Sequence, residues 1–341
     1  MAVTNNKTFK TVITIGISLV IAAFFMWIAL RGLDFKNIQA AFLKANYLWV
    51  LAAFIFGVLA YWIRAVRWNM FLEPMGYKIS NSNALWTLSF GYLMNLTIPR
   101  SGEVARATAL YGVEKVPVDK SFGTIILERV VDLFFMLLLL CLTAIFKYEA
   151  LTSFYQYLSQ QNDKAPQEES GFSMKWLVLG VLLIGGILLF LFKDKIKNNA
   201  LYHKVANFVS GIWEGIKSIS KIKNKPKFIA YSAGIWISYY FAAYLVCFAL
   251  PETSSFDFAD GFFILSVGTL GMLVPASGGI GAYHLAIKLG VMGLYLALGK
   301  NPEEGGEVGL AYAFLSHTLQ LVIMILMGLI SIPVLAKAKI K

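Results

Sequence analysis

Arg100, Glu103 and Arg106 stand at intervals of three, a spacing that lines charged side chains along one side of a helix. They follow Pro99 and are interleaved with Ser101 and Gly102, so one helix is expected to end and another to begin there. A helix starting just after Ser101 and Gly102 points backbone N–H groups and a positive dipole end at the tip, which favours an anionic phosphate. Arg100 can bind such a phosphate in bidentate fashion. The same charges also suit a salt-bridged corner. Glu128 and Asp132 are four apart and share a helical face, and Arg129 is three from Asp132. That trio reads either as an ion pair near the inner interface or as the polar wall of a substrate path. Arg64 and Arg67, flanked by Trp62 and Trp68, have the make-up of an interfacial anchor and are also able to reach a lipid phosphate. Pro275, Ser277, Gly278, Gly279 and Gly281 form a small-residue break that lets backbone approach a ligand or lets helices pack closely. His317, beside Gln320, can hydrogen-bond between helices or relay protons.

No catalytic signature accompanies these residues. HExxH, a Walker A loop, clustered aspartates and a Ser/His/Asp grouping are all missing, and the three histidines, His203, His284 and His317, are scattered. The expectation is therefore no enzyme, no metal, no cofactor and no direct ATP coupling. Cys141 and Cys247 lie in apolar blocks without CxxC spacing and read as small packing residues.

The elements that carry the candidates are membrane helices. The chain has 341 residues, 58% hydrophobic and 14% charged, with a mean hydropathy of +0.67; a soluble domain carries about 25% charged residues. Thr11 to Leu30 is free of formal charge and long enough for about 30 Å of helix, which matches a bilayer core. Its apolar run is too long for a signal peptide, so it reads as an uncleaved first span. The net charge of +11 is concentrated in the lysines between Lys193 and Lys227 and in Lys337, Lys339 and Lys341. The positive-inside rule puts those segments, and both termini, in the cytoplasm. Glu149, Asp163, Glu168 and Glu169, and then Glu303, Glu304 and Glu307, mark outer loops. Nucleic acid is excluded as a partner because no soluble basic domain exists to bind it.

Apolar blocks at Tyr47 to Arg67, Ser121 to Phe146, Met174 to Phe192, Phe228 to Leu250 and Gly309 to Leu335 read as further spans. Asp34 to Leu48 has the spacing of a short outer interfacial helix. Arg67 and Ser121 fall on the same side, so the region between them crosses an even number of times. Its short arms and polar tip favour a re-entrant hairpin at about 83–112. The same reasoning gives a second hairpin at about 260–299, entered from the opposite face. Leu96 to Gly102 resembles Leu273 to Gly278, with Pro, Ser and Gly in register. The fold class expected is an all-α, polytopic transmembrane helical bundle, an inverted repeat of span, span, re-entrant hairpin, span. Its parts are a first membrane repeat at 1–147, an outer loop at 148–173 and a second repeat at 174–341, with an inner amphipathic helix at about 200–222.

Through Pro99 to Arg106, Glu128-Arg129-Val130-Val131-Asp132 and Pro275 to Gly281, the chain resembles the flippase-like domain family. That family is the transmembrane region of lysylphosphatidylglycerol synthases (multiple peptide resistance factor) and its stand-alone relatives. The resemblance implies a multi-pass inner-membrane protein that moves a phospholipid or lipid-linked substrate. Its substrate site would draw on Arg64, Arg67, Pro99, Arg100, Ser101, Gly102, Glu103, Arg106, Glu128, Arg129, Asp132, Pro275, Ser277, Gly278, Gly279, Gly281 and His317. Two departures stand out. The chain ends at Lys341, so the aminoacyl-transfer domain of the synthases is expected to be absent, and with it synthesis of the lipid. His284 stands roughly where relatives often have an acidic residue. Other readings left open are a lipid-group transferase and a non-transporting scaffold for an envelope synthase. A homo-oligomer is compatible with all three.

Overall fold

The structure, a computed structural model, describes residues 16, 17, 19–21, 23–30, 35–98, 101–153, 155 and 222–339. Pro99, Arg100, most of the expected outer loop, the span expected at Met174 to Phe192 and nearly all of the amphipathic stretch at 200–222 lie outside the described residues, as do parts of Thr11 to Leu30.

Local sequence accounts for where the helices begin. After an apolar helical stretch within Leu19–Leu30, α1 spans Phe35–Lys44. Asn46 accepts a hydrogen bond from the Leu48 amide and opens α2, Tyr47–Leu72. Ser80 accepts from the amides of Ser82 and Asn83 at the start of α3, Asn81–Thr97, which stops just short of Pro99. Helix α4, Gly102–Glu114, ends at Lys115 in the left-handed region, and α5, Val118–Phe146, starts directly after Pro117. Asn224 caps α6, Lys225–Cys247. Asp257 and Asp260 form a reciprocal capping box on α7, Phe258–Met272. Helices α8, Ala282–Ala297, and α9, Pro302–Lys339, complete the described chain, and no strand occurs among its residues.

The bundle is all-α and polytopic. Four described segments are long and apolar enough to cross a membrane: Tyr47–Met75, Lys225–Cys247, Ser277–Ala297 and Pro302–Ala338. The third runs through the glycine-rich break, so the regular helix within it is only the 16 residues of α8, about 24 Å long. Helices α3, α4 and α7 have 17, 13 and 15 residues. None of these four reaches the 30 Å of a hydrocarbon core on its own. They pair as α3 with α4 and α7 with α8.

Each pair closes on glycine. A Cβ on Gly91 would sit 2.7 Å from the Gly102 carbonyl oxygen and 3.0 Å from the Arg106 Cβ. A Cβ on Gly271 would meet the Ala286 Cβ at 2.8 Å. Gly102→Val therefore drives a branched side chain into the backbone of α3 and the Asn95 side chain. It is expected to lower the thermal midpoint of the detergent-purified protein sharply, whereas Gly112→Ala, which meets nothing within 4 Å, leaves it within a degree or two.

Polarity is arranged for a lipid surround. Arg64, Arg67, Arg106, Glu128, His284 and His317 are buried, while Leu48, Phe134, Ile145 and Leu329 are exposed. Ionisable side chains inside and large apolar ones outside suit hydrocarbon, where a charge needs a partner and a leucine does not. Cys247 is buried in the apolar cluster, whereas Cys141, expected to pack, is exposed on α5. One apolar cluster joins residues of α6 to α9 with Ala53 of α2.

Candidate functional site: a buried arginine–carboxylate cluster

Arg64 and Arg67 are one helical turn apart on α2, and Trp68 is four residues beyond Arg64, so all three face the same neighbours. Thr124, Glu128 and Asp132 repeat at four on α5 and form the facing surface. Arg64 bridges the two carboxylates, with Nη1 2.5 Å from Glu128 Oε1 and Nη2 2.7 Å from Asp132 Oδ2. Arg67 Nη2 lies 2.8 Å from Asp132 Oδ1 and 3.7 Å from Glu128 Oε1, and its Nη1 donates to Ser232 Oγ of α6 at 3.4 Å. Arg106 comes from α4 and places Nη2 3.0 Å from Glu128 Oε2. Its guanidinium stacks 3.6 Å over the Trp68 ring, a cation–π contact in a desolvated setting. Trp68 Nε1 in turn donates to Thr124 Oγ1 at 2.9 Å, which fixes the ring.

Burial and charge together make this cluster unusual. Arg67 is fully buried, and Arg64, Arg106 and Glu128 are nearly so. Three guanidinium groups face two carboxylates, so the cluster carries one uncompensated positive charge. The Nε atoms of Arg64, Arg67 and Arg106 are buried without a hydrogen-bond partner, although buried donors are nearly always paired. A small recess of about 10 Å³, room for no more than about one water, touches Arg106 and is lined by Leu88, Gly91, Tyr92, Asn95, Gly102, Glu103, Ile125 and Arg129. On its rim Arg129 pairs with Glu103 at 3.0 Å, both partly exposed.

The candidates read from the sequence thus do not all come together. Arg64, Arg67, Arg106, Glu128 and Asp132 meet in one cluster, and Arg64 and Arg67 are packed inside it instead of sitting at a helix end as interfacial anchors. Arg129 points away from Asp132, toward Glu103. At the first tip, Ser101 Oγ donates to the carbonyls of Met94 and Ile98. The Gly102 amide donates to Asn95 Oδ1 at 2.7 Å, so this first N–H of α4 is already occupied. Pro99 and Arg100 lie outside the described residues.

At the second tip, Gly278, Gly279 and Gly281 have φ of 59°, 77° and 82°, a region open to glycine and costly to other residues. A Cβ on Gly278 would lie 3.0 Å from Leu96 Cδ2 of α3, and one on Gly279 would strike Met272. These glycines let helix pack on helix, and the two tips touch. Ser277 is buried there, while Ala276 and Ser277 accept the backbone hydrogen bonds that shape the turn with Pro275 just before them. His317 is remote from the arginines in its contacts, lying against Tyr283 and His284.

Sequence reasoning passed over Thr124, Ser232 and Asn95, and it took Trp68 for part of an interfacial anchor. Thr124 was within reach, since it sits one turn from Glu128 on its own helix.

The lysylphosphatidylglycerol synthase TM region family matches residues 15–337, nearly the whole chain. The chain belongs to that family. All of the cluster and both tips lie within the matched residues. Among curated proteins, the UPF0104 membrane protein MJ1595 of Methanocaldococcus jannaschii is 28% identical over 119 residues, 34% of this chain and 35% of that protein. The aligned part is thus about a third of that relative's length. No solved structure matches the chain.

Proposed function

We propose that the chain moves an anionic phospholipid, or another lipid bearing a phosphodiester, across the cytoplasmic membrane, with the arginine–carboxylate cluster holding the phosphate. The observation that carries the reading is the charge balance of the cluster: one positive charge in excess, buried, with unpartnered Nε donors. An unpaired charge away from water costs several kcal/mol or more, and a monoanionic phosphodiester supplies the one missing negative charge. Arg106 is the point of approach in this reading, because it belongs to the cluster on one side and lines the recess on the other, a recess of about 10 Å³ that must widen to admit a head group. Family membership supports a lipid as the substrate class, since the family is described by a lipid synthase.

In this reading the pairs α3–α4 and α7–α8 are re-entrant hairpins entered from opposite faces, within an inverted repeat at 1–147 and 174–341. The lysine-rich segments and both termini face the cytoplasm. Arg100 at the first tip assists the phosphate, Glu103, Glu128 and Asp132 shape the polar path, and no bond is made or broken in the lipid.

The test is translocation by the full chain in vesicles of phosphatidylcholine and phosphatidylglycerol carrying a head-group-accessible fluorescent phosphatidylglycerol. Vesicles with protein are expected to expose nearly all of the label to an external quencher, and empty vesicles about half. Arg106→Gln, which brings the cluster to neutrality, is expected to remain folded and to slow exposure of the label at least about tenfold, the equivalent of 1.4 kcal/mol. Equal protection with and without protein sinks the proposal, and chemical conversion of the lipid by the purified protein would favour a transferase instead.

A further inference from the structure

His284 and His317 are not accounted for by the arginine cluster. Both are almost fully buried, and their ring centroids are 5.0 Å apart at 58°. Neither nitrogen of His317 has a hydrogen-bond partner, and neither does Nδ1 of His284. The rest of the surround is apolar or already engaged. Phe314 lies 4.5 Å from His284 with its ring tilted at 58°. Tyr283 lies 5.1 Å from His317, with its hydroxyl 2.9 Å from Ser316 Oγ. An imidazole always carries nitrogens that donate or accept, so three unpartnered ones side by side need a reason.

A metal is a poor fit. Zinc sites take three or four protein ligands, and no group of three or more His, Cys, Asp or Glu gathers among the described residues. A proton needs no more than one imidazole lone pair, and each ring offers one. We propose that His284 and His317 form a proton-binding site that makes lipid movement proton-coupled. The inference rests on the translocation reading above and adds its driving force.

Position supports the coupling. His284 is three residues past Gly281 on α8, directly behind the glycine tip. Leu321, one turn from His317 on α9, reaches within 3.7 Å of where a Gly278 Cβ would stand, and Gly278 is also the residue that meets Leu96 of the other hairpin. Glu303, Glu304 and Glu307 of α9 stand ten or more positions before His317, about 15 Å or more along the helix, and charged groups on the packed helices have partners elsewhere. On α2, Arg64 and Arg67 are held by Glu128 and Asp132 of α5. Asp260 on α7 is held by Lys147, and Lys288 on α8 donates to the Ala29 carbonyl at 3.0 Å. Tyr92 is the ionisable side chain of α3, and Tyr312 of α9 donates to the Ala243 carbonyl. A proton on the histidine pair thus creates a buried cation without a counter-ion. The neutral pair suits the closed, packed tips; the protonated pair favours tips opened to water or to an incoming phosphate.

The experiment uses the same phosphatidylglycerol vesicles with a pH difference imposed in either direction and a pH-sensitive dye trapped inside. Wild type is expected to move the fluorescent lipid faster in one direction of the gradient, by up to about tenfold per pH unit, with proton movement accompanying the lipid. In His284→Gln and His317→Gln the ratio of the rate with a gradient to the rate without falls to about one. Lipid movement in wild type that ignores the gradient and carries no protons overturns the proton site and leaves the translocation reading standing. An unchanged ratio in both variants also overturns it. No lipid movement at all in wild type overturns the translocation reading and the proton site with it. If a variant fails to elute as a single folded species, the dye signal of wild type decides.

Discussion

Glu128→Gln is expected to destabilise the protein by about 3–5 kcal/mol, the range seen when one partner of a buried ion pair is removed. Glu128 accepts from Arg64 and Arg106 and lies near Arg67, so its neutralisation leaves three arginines around Asp132 alone and doubles the excess charge. Arg106→Gln changes the balance in the opposite direction, to neutrality, and is expected to cost distinctly less even though the Trp68 stack is lost. The double variant Arg106→Gln/Glu128→Gln restores the original net charge. It should therefore be more stable than Glu128→Gln alone, with a coupling of about 0.5–3 kcal/mol. Arg129→Gln is the control: its partner Glu103 is partly exposed and the arginine half-exposed, a setting where a pair contributes at most about 1 kcal/mol. Thermal unfolding in detergent, followed by size-exclusion elution, measures all four. A Glu128→Gln protein as stable as Arg129→Gln would mean that the cluster is hydrated and not a buried charge centre.

The residues of this cluster were legible in the sequence as types and spacings, but their arrangement was not. Intervals of three and four correctly joined Arg64 with Arg67 and Glu128 with Asp132, because a helix fixes those neighbours whatever surrounds it. The same rule linked Arg129 to Asp132, and there it failed. A side chain three residues away can turn outward when a better partner stands on another helix, as Glu103 does on α4. Arg64 and Arg67 looked like an interfacial anchor because tryptophans flank them, yet Trp68 faces inward as the platform under Arg106. That contact depends on α4 folding back across α2 and α5, a long-range fact that no local window holds. The helices themselves were far easier to read. The breaks at Ile98 and Pro275 follow from proline and glycine, and Asn46, Ser80 and Asp257, residue types that favour such positions, cap helices in the structure without having been singled out in the sequence. Likewise, the glycines at 278, 279 and 281 announced a turn, while their use in helix packing depended on Leu96 and Met272, far away in sequence or across the turn.

Locking the two tips together is expected to abolish lipid movement. Leu96 and the backbone of Gly278 are in contact, although 182 positions separate them. The chain has two native thiols, Cys141 and Cys247, so Leu96→Cys/Gly278→Cys in a Cys141→Ala/Cys247→Ala background isolates the engineered pair. A short bifunctional thiol reagent should join it without needing the strict geometry of a disulfide. If the tips part for each passage of a phosphate between the faces of the membrane, the linked protein retains less than about a tenth of the unlinked rate, a barrier rise of 1.4 kcal/mol or more. A cleavable linker returns the rate on reduction, which separates a blocked motion from a damaged fold. Gly278→Cys carries its own cost, because a side chain at φ 59° is strained, and the uncrosslinked double variant measures that cost directly. Two results would remove the tips from the mechanism: failure of the pair to cross-link in the membrane, or lipid movement at full rate through a protein whose tips are covalently joined. Either would move the path away from the meeting point of the hairpins and leave the arginine cluster as a structural charge centre alone.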